Sequence, residues 1–214
     1  MTAPADPTAL RLGAWLAAMG QGDWTAVMAG LAEDVTFAAP LIYRAGQRMP
    51  RPGFVTGKPA IEAMFAARAA LVEDAGFDLQ GYGGAAGQGW AIAETTERLK
   101  ETGAEYTLRA AVHFTFDARG RIARWESLFD PSPQIAVFRP ALDAALIAAL
   151  AACDEPGALR LLAEGADPSA RDDAGLTALM IAAGRDLPGA VERLLAAGAD
   201  PLAKDPGEIG RAHV

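Results

Sequence analysis

Residues 94–100 read Glu-Thr-Thr-Glu-Arg-Leu-Lys, so two carboxylates, a guanidinium and an ammonium share seven positions of one predicted strand. A carboxylate in apolar surroundings has a raised pKa and can take a proton from carbon. A guanidinium nearby can steady the enolate or phenolate that forms. Side chains alternate along a strand, so only half of this set shares a face. If Arg98 points inward, then Ile92, Glu94, Thr96 and Lys100 do too. Glu94 is then the base, Arg98 the oxyanion partner, and Tyr43, Tyr106 or Ser127 orients the substrate. In the opposite register Glu97 is inward and Arg98 is solvated. Arg44, Arg48, Arg51 and Lys58 follow Tyr43 and could draw an acidic substrate to the mouth; such a run is more often an ordinary solvated loop.

Composition removes several other chemistries. The chain has 214 residues, a net charge of −8 and a pI near 4.8. Nucleic-acid binders need a basic footprint, so no nucleic-acid partner is expected. Cys153 is the single cysteine, and His113 and His213 are the two histidines. No metal and no cofactor are therefore expected. Cys153 reads as a buried small hydrophobe. Residues 1–7 have no basic or apolar region of a signal peptide. No uncharged apolar stretch approaches the ~18 residues of a membrane span. The expectation is a cytoplasmic protein without a membrane partner.

The elements that must carry these residues follow from periodicity. Residues 8–30 give two helices, with Leu12, Trp15, Leu16 and Met19 on one apolar face and Asp23 capping the second. Residues 31–43 form a short extended segment, and residues 44–58 a loop rich in Pro, Gly and Arg. A third helix opens at Gly57-Lys58-Pro59 and runs to about Glu73. Residues 88–101 and 121–130 read as strands. Between them residues 106–116 alternate, with Tyr106, Leu108, Ala110, Val112, Phe114 and Phe116 on one side. Arg109, His113 and Thr115 fall on the other. The fold class is α+β: helices, then an antiparallel sheet.

Four words in order carry a resemblance: Gln21-Gly22-Asp23-Trp24, Ala32-Glu33-Asp34-Val35-Thr36-Phe37, Gly57-Lys58-Pro59-Ala60-Ile61, and Arg121 to Asp130. Together they resemble the NTF2-like superfamily of SnoaL-type cyclases, ketosteroid isomerase and limonene-epoxide hydrolase. The resemblance implies a cone-shaped curved sheet closed by N-terminal helices around an apolar cavity, over residues 1–138. It also implies a homodimer through the outer sheet face. Ketosteroid isomerase's tyrosine and two acids map onto Trp15, Ala39 and Val112, which supply none of those groups. The hydrolase's arginine maps onto Arg98. Its two acids map onto Lys100 and Ser127, and its Tyr and Asn onto Phe37 and Ala39. Epoxide hydrolysis in its usual form is thus not expected. The resemblance implies isomerase, cyclase or lyase chemistry on a hydrophobic aromatic or polycyclic molecule. Glu94, Arg98 and Tyr43 would be catalytic. Trp15, Phe37, Thr96, Tyr106, Leu108, Val112, Trp125 and Ser127 would bind substrate. The alternative is a non-catalytic ligand-binding or interaction scaffold.

The C-terminal third repeats itself. Residues 160–168 read RLLAEGADP and residues 193–201 read RLLAAGADP, matching at eight of nine positions with an offset of 33. Period and wording resemble the ankyrin repeat, with Thr177-Ala178-Leu179-Met180 where that family has Thr-Pro-Leu-His. Gly165 and Gly198 stand where a helix ends in a left-handed residue. Residues 139–214 thus read as two recognisable repeats with degenerate ends, one at 142–152 and one at 206–214. A protein partner through this segment is expected.

Overall fold

Asp6 starts the first helix, its carboxylate accepting the Thr8 N–H at 2.8 Å. The computed structural model describes residues 6–204. The chain divides into two compact units, Met1–Ile135 and Ala136–Val214. In the first, helix α1 spans Pro7–Gln21 and α2 Trp24–Ala29. Asp23 caps α2 through the Ala26 N–H at 3.0 Å. Strand β1, Leu31–Ile42, and β2, Arg51–Thr56, precede helix α3, Lys58–Leu71. Four strands follow: β3 Val72–Ala85, β4 Gln88–Leu99, β5 Glu105–Phe116 and β6 Ile122–Leu128.

The six strands form one sheet in the order β2-β1-β6-β5-β4-β3. Only β1 and β6 run parallel. The two strands that periodicity does not reveal, β2 and β3, are the two edges. Helix α1 packs on β3 at Gly13, where a Cβ would come within 2.4 Å of the Tyr82 hydroxyl. Leu12, Trp15 and Leu16 are buried.

The inner face of β4 presents Ala91, Ala93, Thr95 and Glu97, while Trp90, Ile92, Glu94, Thr96 and Arg98 stand on the other face. Trp90 lies over Gly83 of β3, where a Cβ would meet the indole nitrogen at 2.9 Å. On β5 the inner residues are Tyr106, Leu108, Ala110, Val112 and Phe114, as the alternation indicates.

Helix α4 spans Ser132–Ala151, its opening turn in the first unit and the rest in the second; it begins earlier than residue 142 and runs through Pro140. It has the length and apolar composition of a membrane span. It carries Arg139 and Asp143 and buries Phe138, Leu142, Leu146 and Leu150 at a spacing of four, a single stripe along one side. Helices α5 (Glu155–Ala163), α6 (Ala178–Gly184) and α7 (Pro188–Ala196) follow. Gly165 and Gly198 have φ of 93° and 96°, as expected for a left-handed helix stop. Helix α7 packs on both α5 and α6. The paired leucines of the two repeat words differ in burial: Leu161 is half-buried and Leu162 buried, whereas Leu194 is buried and Leu195 exposed. Residues 206–214 lie outside the described residues, as does His213. Cys153 is exposed rather than buried, because it occupies the left-handed turn after α4 with φ of 59°.

Asp154 caps α5 through the Gly157 N–H at 3.0 Å. Its counterpart before α7 is Leu187, which has no capping side chain. Glu155 of α5 fills that role by accepting the Ala190 N–H at 2.9 Å. Glu155→Ala should cost about 1 kcal/mol, the ordinary worth of a cap, in urea unfolding. No loss would mean that solvent serves α7 as well.

Burial holds the Asp143 carboxyl above its ordinary 3.8; the Asp167 N–H works against this and the Asp167 charge adds to it. That N–H bonds Asp143 at 2.7 Å. A raised carboxyl favours the fold only below its unfolded value and costs stability as pH rises through the folded value. Asp143→Asn keeps the acceptor and removes the charge. Thermal melts should show the variant more stable at neutral pH and equal to wild type below 3.8. A gain persisting in acid would contradict this.

Candidate functional site

Helices α1, α2 and α3 and the inner sheet face enclose a cavity of about 550 Å³. Its walls are mostly apolar, with aromatic rings grouped at their centre. Trp125 of β6 is central, with ring centroids 4.4 Å from Phe37 and 5.1 Å from Trp15. Both indole N–H groups are used within the protein: Trp15 donates to the Val27 carbonyl at 2.9 Å and Trp125 to Ser127 Oγ at 3.1 Å.

One end of the cavity is polar, and Glu97 is its centre. Register sets the flanks: Tyr106 of β5 pairs with Glu97 on one side and Asp74 of β3 on the other. Tyr43, just past β1, donates to Glu97 Oε2 at 2.8 Å. Tyr106 donates to the same oxygen. The two phenolic oxygens are 2.7 Å apart. Gln134, in the first turn of α4, donates to Tyr43 at 2.7 Å and to Tyr106 at 3.1 Å. Arg68 of α3 reaches Glu97 Oε1 with Nε at 3.1 Å and a terminal nitrogen at 3.0 Å. It also bonds Asp74.

Burial, then the Glu97 charge, pushes both phenols far above their usual pKa. They therefore stay protonated and act as donors, not bases. Burial works against the Arg68 charge, but Glu97 and Asp74 outweigh it, so the guanidinium stays charged. The cluster is a carboxylate that accepts hydrogen bonds, two phenols that donate them, and a fixed cation.

The placement of β4 corrects part of the sequence reading. Arg98 lies on the outer face, bonded to Glu73 at 2.9 Å and Glu105 at 2.9 Å. Glu94 and Thr96 share that face; Thr96 bonds Thr107 across the strands at 3.0 Å. Lys100 is exposed beyond the strand end. None of the four lines the cavity, because the register that pairs Glu97 with Tyr106 turns them away. Trp15, Phe37, Tyr43, Leu108, Val112, Trp125 and Ser127 do line it; Tyr106 does not, and its hydroxyl meets the cluster through Glu97 and Tyr43. Trp15, Ala39 and Val112 all reach the cavity and bring no acid and no phenol. Arg44, Arg48, Arg51 and Lys58 do not line it; Lys58 pairs with Glu33 at 2.9 Å and Arg48 with Glu101 at 3.8 Å. Reading the sequence for function passed over Arg68 and Gln134.

The model of the SnoaL-like domain family matches residues 12–125. The chain belongs to that family. The ankyrin repeat model matches residues 174–206. The SnoaL-like unit is similar to an NTF2-like protein of Burkholderia thailandensis, with 19% identity and a TM-score of 0.54 over 62% of this chain and 98% of that one. An NTF2-like protein of unknown function from Burkholderia pseudomallei gives 18% and 0.50 over 60% and 95%. A Catenulispora acidiphila protein with a ketosteroid isomerase-like fold, solved with trimethylamine, gives 17% and 0.50 over 63% and 94%. These likenesses concern the fold. No curated protein matches the chain.

Proposed function

We propose that the SnoaL-like unit is a small-molecule enzyme of the isomerase, cyclase or lyase type, with Glu97 as its proton acceptor. The substrate is a hydrophobic aromatic or polycyclic molecule. One observation carries this: a buried carboxylate, held by an arginine and two phenols, closes the polar end of a cavity lined with aromatic rings. Glu97 takes a proton from a carbon beside a carbonyl. The C–H electron pair moves into the enolate, and a phenol of Tyr43 or Tyr106 turns from Glu97 to the new oxyanion. Return of the proton to the same or another carbon completes exchange or isomerisation. The test uses 1-tetralone in deuterated water. Wild type should accelerate deuterium entry at the carbon beside the carbonyl, read by NMR, and Glu97→Gln should not.

A second reading has its own support. Both Glu97 oxygens already accept hydrogen bonds, so the cluster also suits a cavity that binds without reacting. The ankyrin segment would then present a protein partner. We further place the protein in the cytoplasm as a homodimer through the outer sheet face. Phe54, Trp90 and Leu128 are exposed there, and His113 pairs with Trp90 in register. Trp90→Glu should shift the sedimentation of a dimer to that of a monomer. A monomeric wild type would end the dimer proposal.

A further inference from the structure

The cavity's partly exposed side is built from aromatic rings and one surplus carboxylate. Trp24 of α2 and Phe65 of α3 have ring centroids 4.5 Å apart with planes at 47°. Phe77 of β3 lies against Gly20, where a Cβ would meet its ring at 3.1 Å. Trp24 and Phe77 both reach solvent. Asp74, three residues before Phe77, has a side chain 66% exposed. All four residues line the cavity.

The charges of the lining are unequal. Among the described lining residues one cation, Arg68, faces two carboxylates, Glu97 and Asp74. Arg68 is 15% exposed and lies against Glu97, which is 8% exposed, so that pair is settled inside. Arg68 also pairs with Asp74, so the three groups share one surplus negative charge, and its solvent-facing end is the Asp74 carboxylate at the rim. Aromatic faces are negative as well. A carboxylate or phosphate ligand would meet both fields with the wrong sign. A neutral ligand would use only the apolar wall. An organic cation would use the wall, the ring faces and the Asp74 charge together. The net charge of −8 also draws cations toward the molecule.

We infer that the cavity takes a hydrophobic organic cation, a tertiary or quaternary ammonium on an apolar body, with the ammonium at the rim among Trp24, Phe65, Phe77 and Asp74. This rests on the cavity being a ligand site and not on what Glu97 does there.

The experiment compares benzyltrimethylammonium with neopentylbenzene, its uncharged carbon isostere, by tryptophan fluorescence and calorimetric titration of the full chain. The charged probe should bind about tenfold more tightly, a preference of the size that ring faces give a desolvated cation. Trp24→Leu and Asp74→Asn should each erase most of that preference, read as the ratio of the two affinities in the same variant, so that any general loss of wall contact cancels. Added salt should weaken only the charged probe. Equal or tighter binding of the isostere overturns the inference, as does a preference that survives both substitutions. Binding of neither probe overturns it too. Deuterium exchange into 1-tetralone that depends on Glu97 would, in any of these cases, leave the proton-transfer proposal standing.

Discussion

Glu97→Leu should cost about 3–5 kcal/mol in urea unfolding, the loss expected when one partner of a buried ion pair is removed. The size comes from what is left behind. Arg68, only 15% exposed, would keep Asp74 at the rim and face an apolar side chain within. Two buried phenols would lose the oxygen that takes their protons. Desolvated polar groups without partners are the costly part, more than the lost bonds themselves. Arg98→Leu is the matched control. Its pairs with Glu73 and Glu105 are about half exposed, and such pairs are worth roughly 0–1 kcal/mol. The double variant Glu97→Leu with Arg68→Met should recover part of the loss, because it removes the stranded charge. If Arg98→Leu cost as much as Glu97→Leu, the inward register of β4 would be wrong.

That register explains what could and could not be read from the sequence. Alternation on β5 is plain because its inner residues are large: Tyr106, Leu108 and Phe114. On β4 the usual cue is inverted. The larger apolar residues, Trp90 and Ile92, face outward, while Ala91, Ala93 and Thr95 face inward, since small side chains leave room for a cavity. A reading that sends bulk to the core therefore favours the wrong face. The neighbour strand held the correction: Arg98 opposes Glu105, so Glu97, not Arg98, stands beside Tyr106. Strands β2 and β3 were missed for a related reason. They are edges, and edges tolerate Pro52 and Gly53 or the acids and glycines of residues 73–84, which erase period two. Arg68 and Gln134 did leave a signal. Ile61, Met64, Phe65 and Arg68 fall at i, i+3, i+4 and i+7, so a charge stands on an apolar stripe. Gln134 precedes Phe138, Leu142, Leu146 and Leu150 at the same spacing of four. A polar residue on a buried stripe needs a partner. For both residues that partner is the Glu97 cluster.

Glu97→Gln should slow deuterium entry into 1-tetralone by about 10²–10⁴-fold, the usual share of a positioned general base. The amide keeps the shape of the carboxylate and can still accept from the phenols or from Arg68, so this variant tests chemistry where Glu97→Leu tests stability. Tyr43→Phe should slow exchange by a smaller factor, since Tyr106 remains to donate to the oxyanion. Neither phenol replaces the base in this variant, because burial, the largest cause of their raised pKa, remains when the carboxylate is gone. Four outcomes separate the two readings of the cavity. A large loss in both assays makes Glu97 at once the keystone of the polar end and its base. Lost exchange with retained stability makes it a base alone. Retained exchange in Glu97→Gln, with Glu97→Leu strongly destabilised, makes the cluster structural and favours the binding scaffold. Loss in neither assay would remove Glu97 from both accounts.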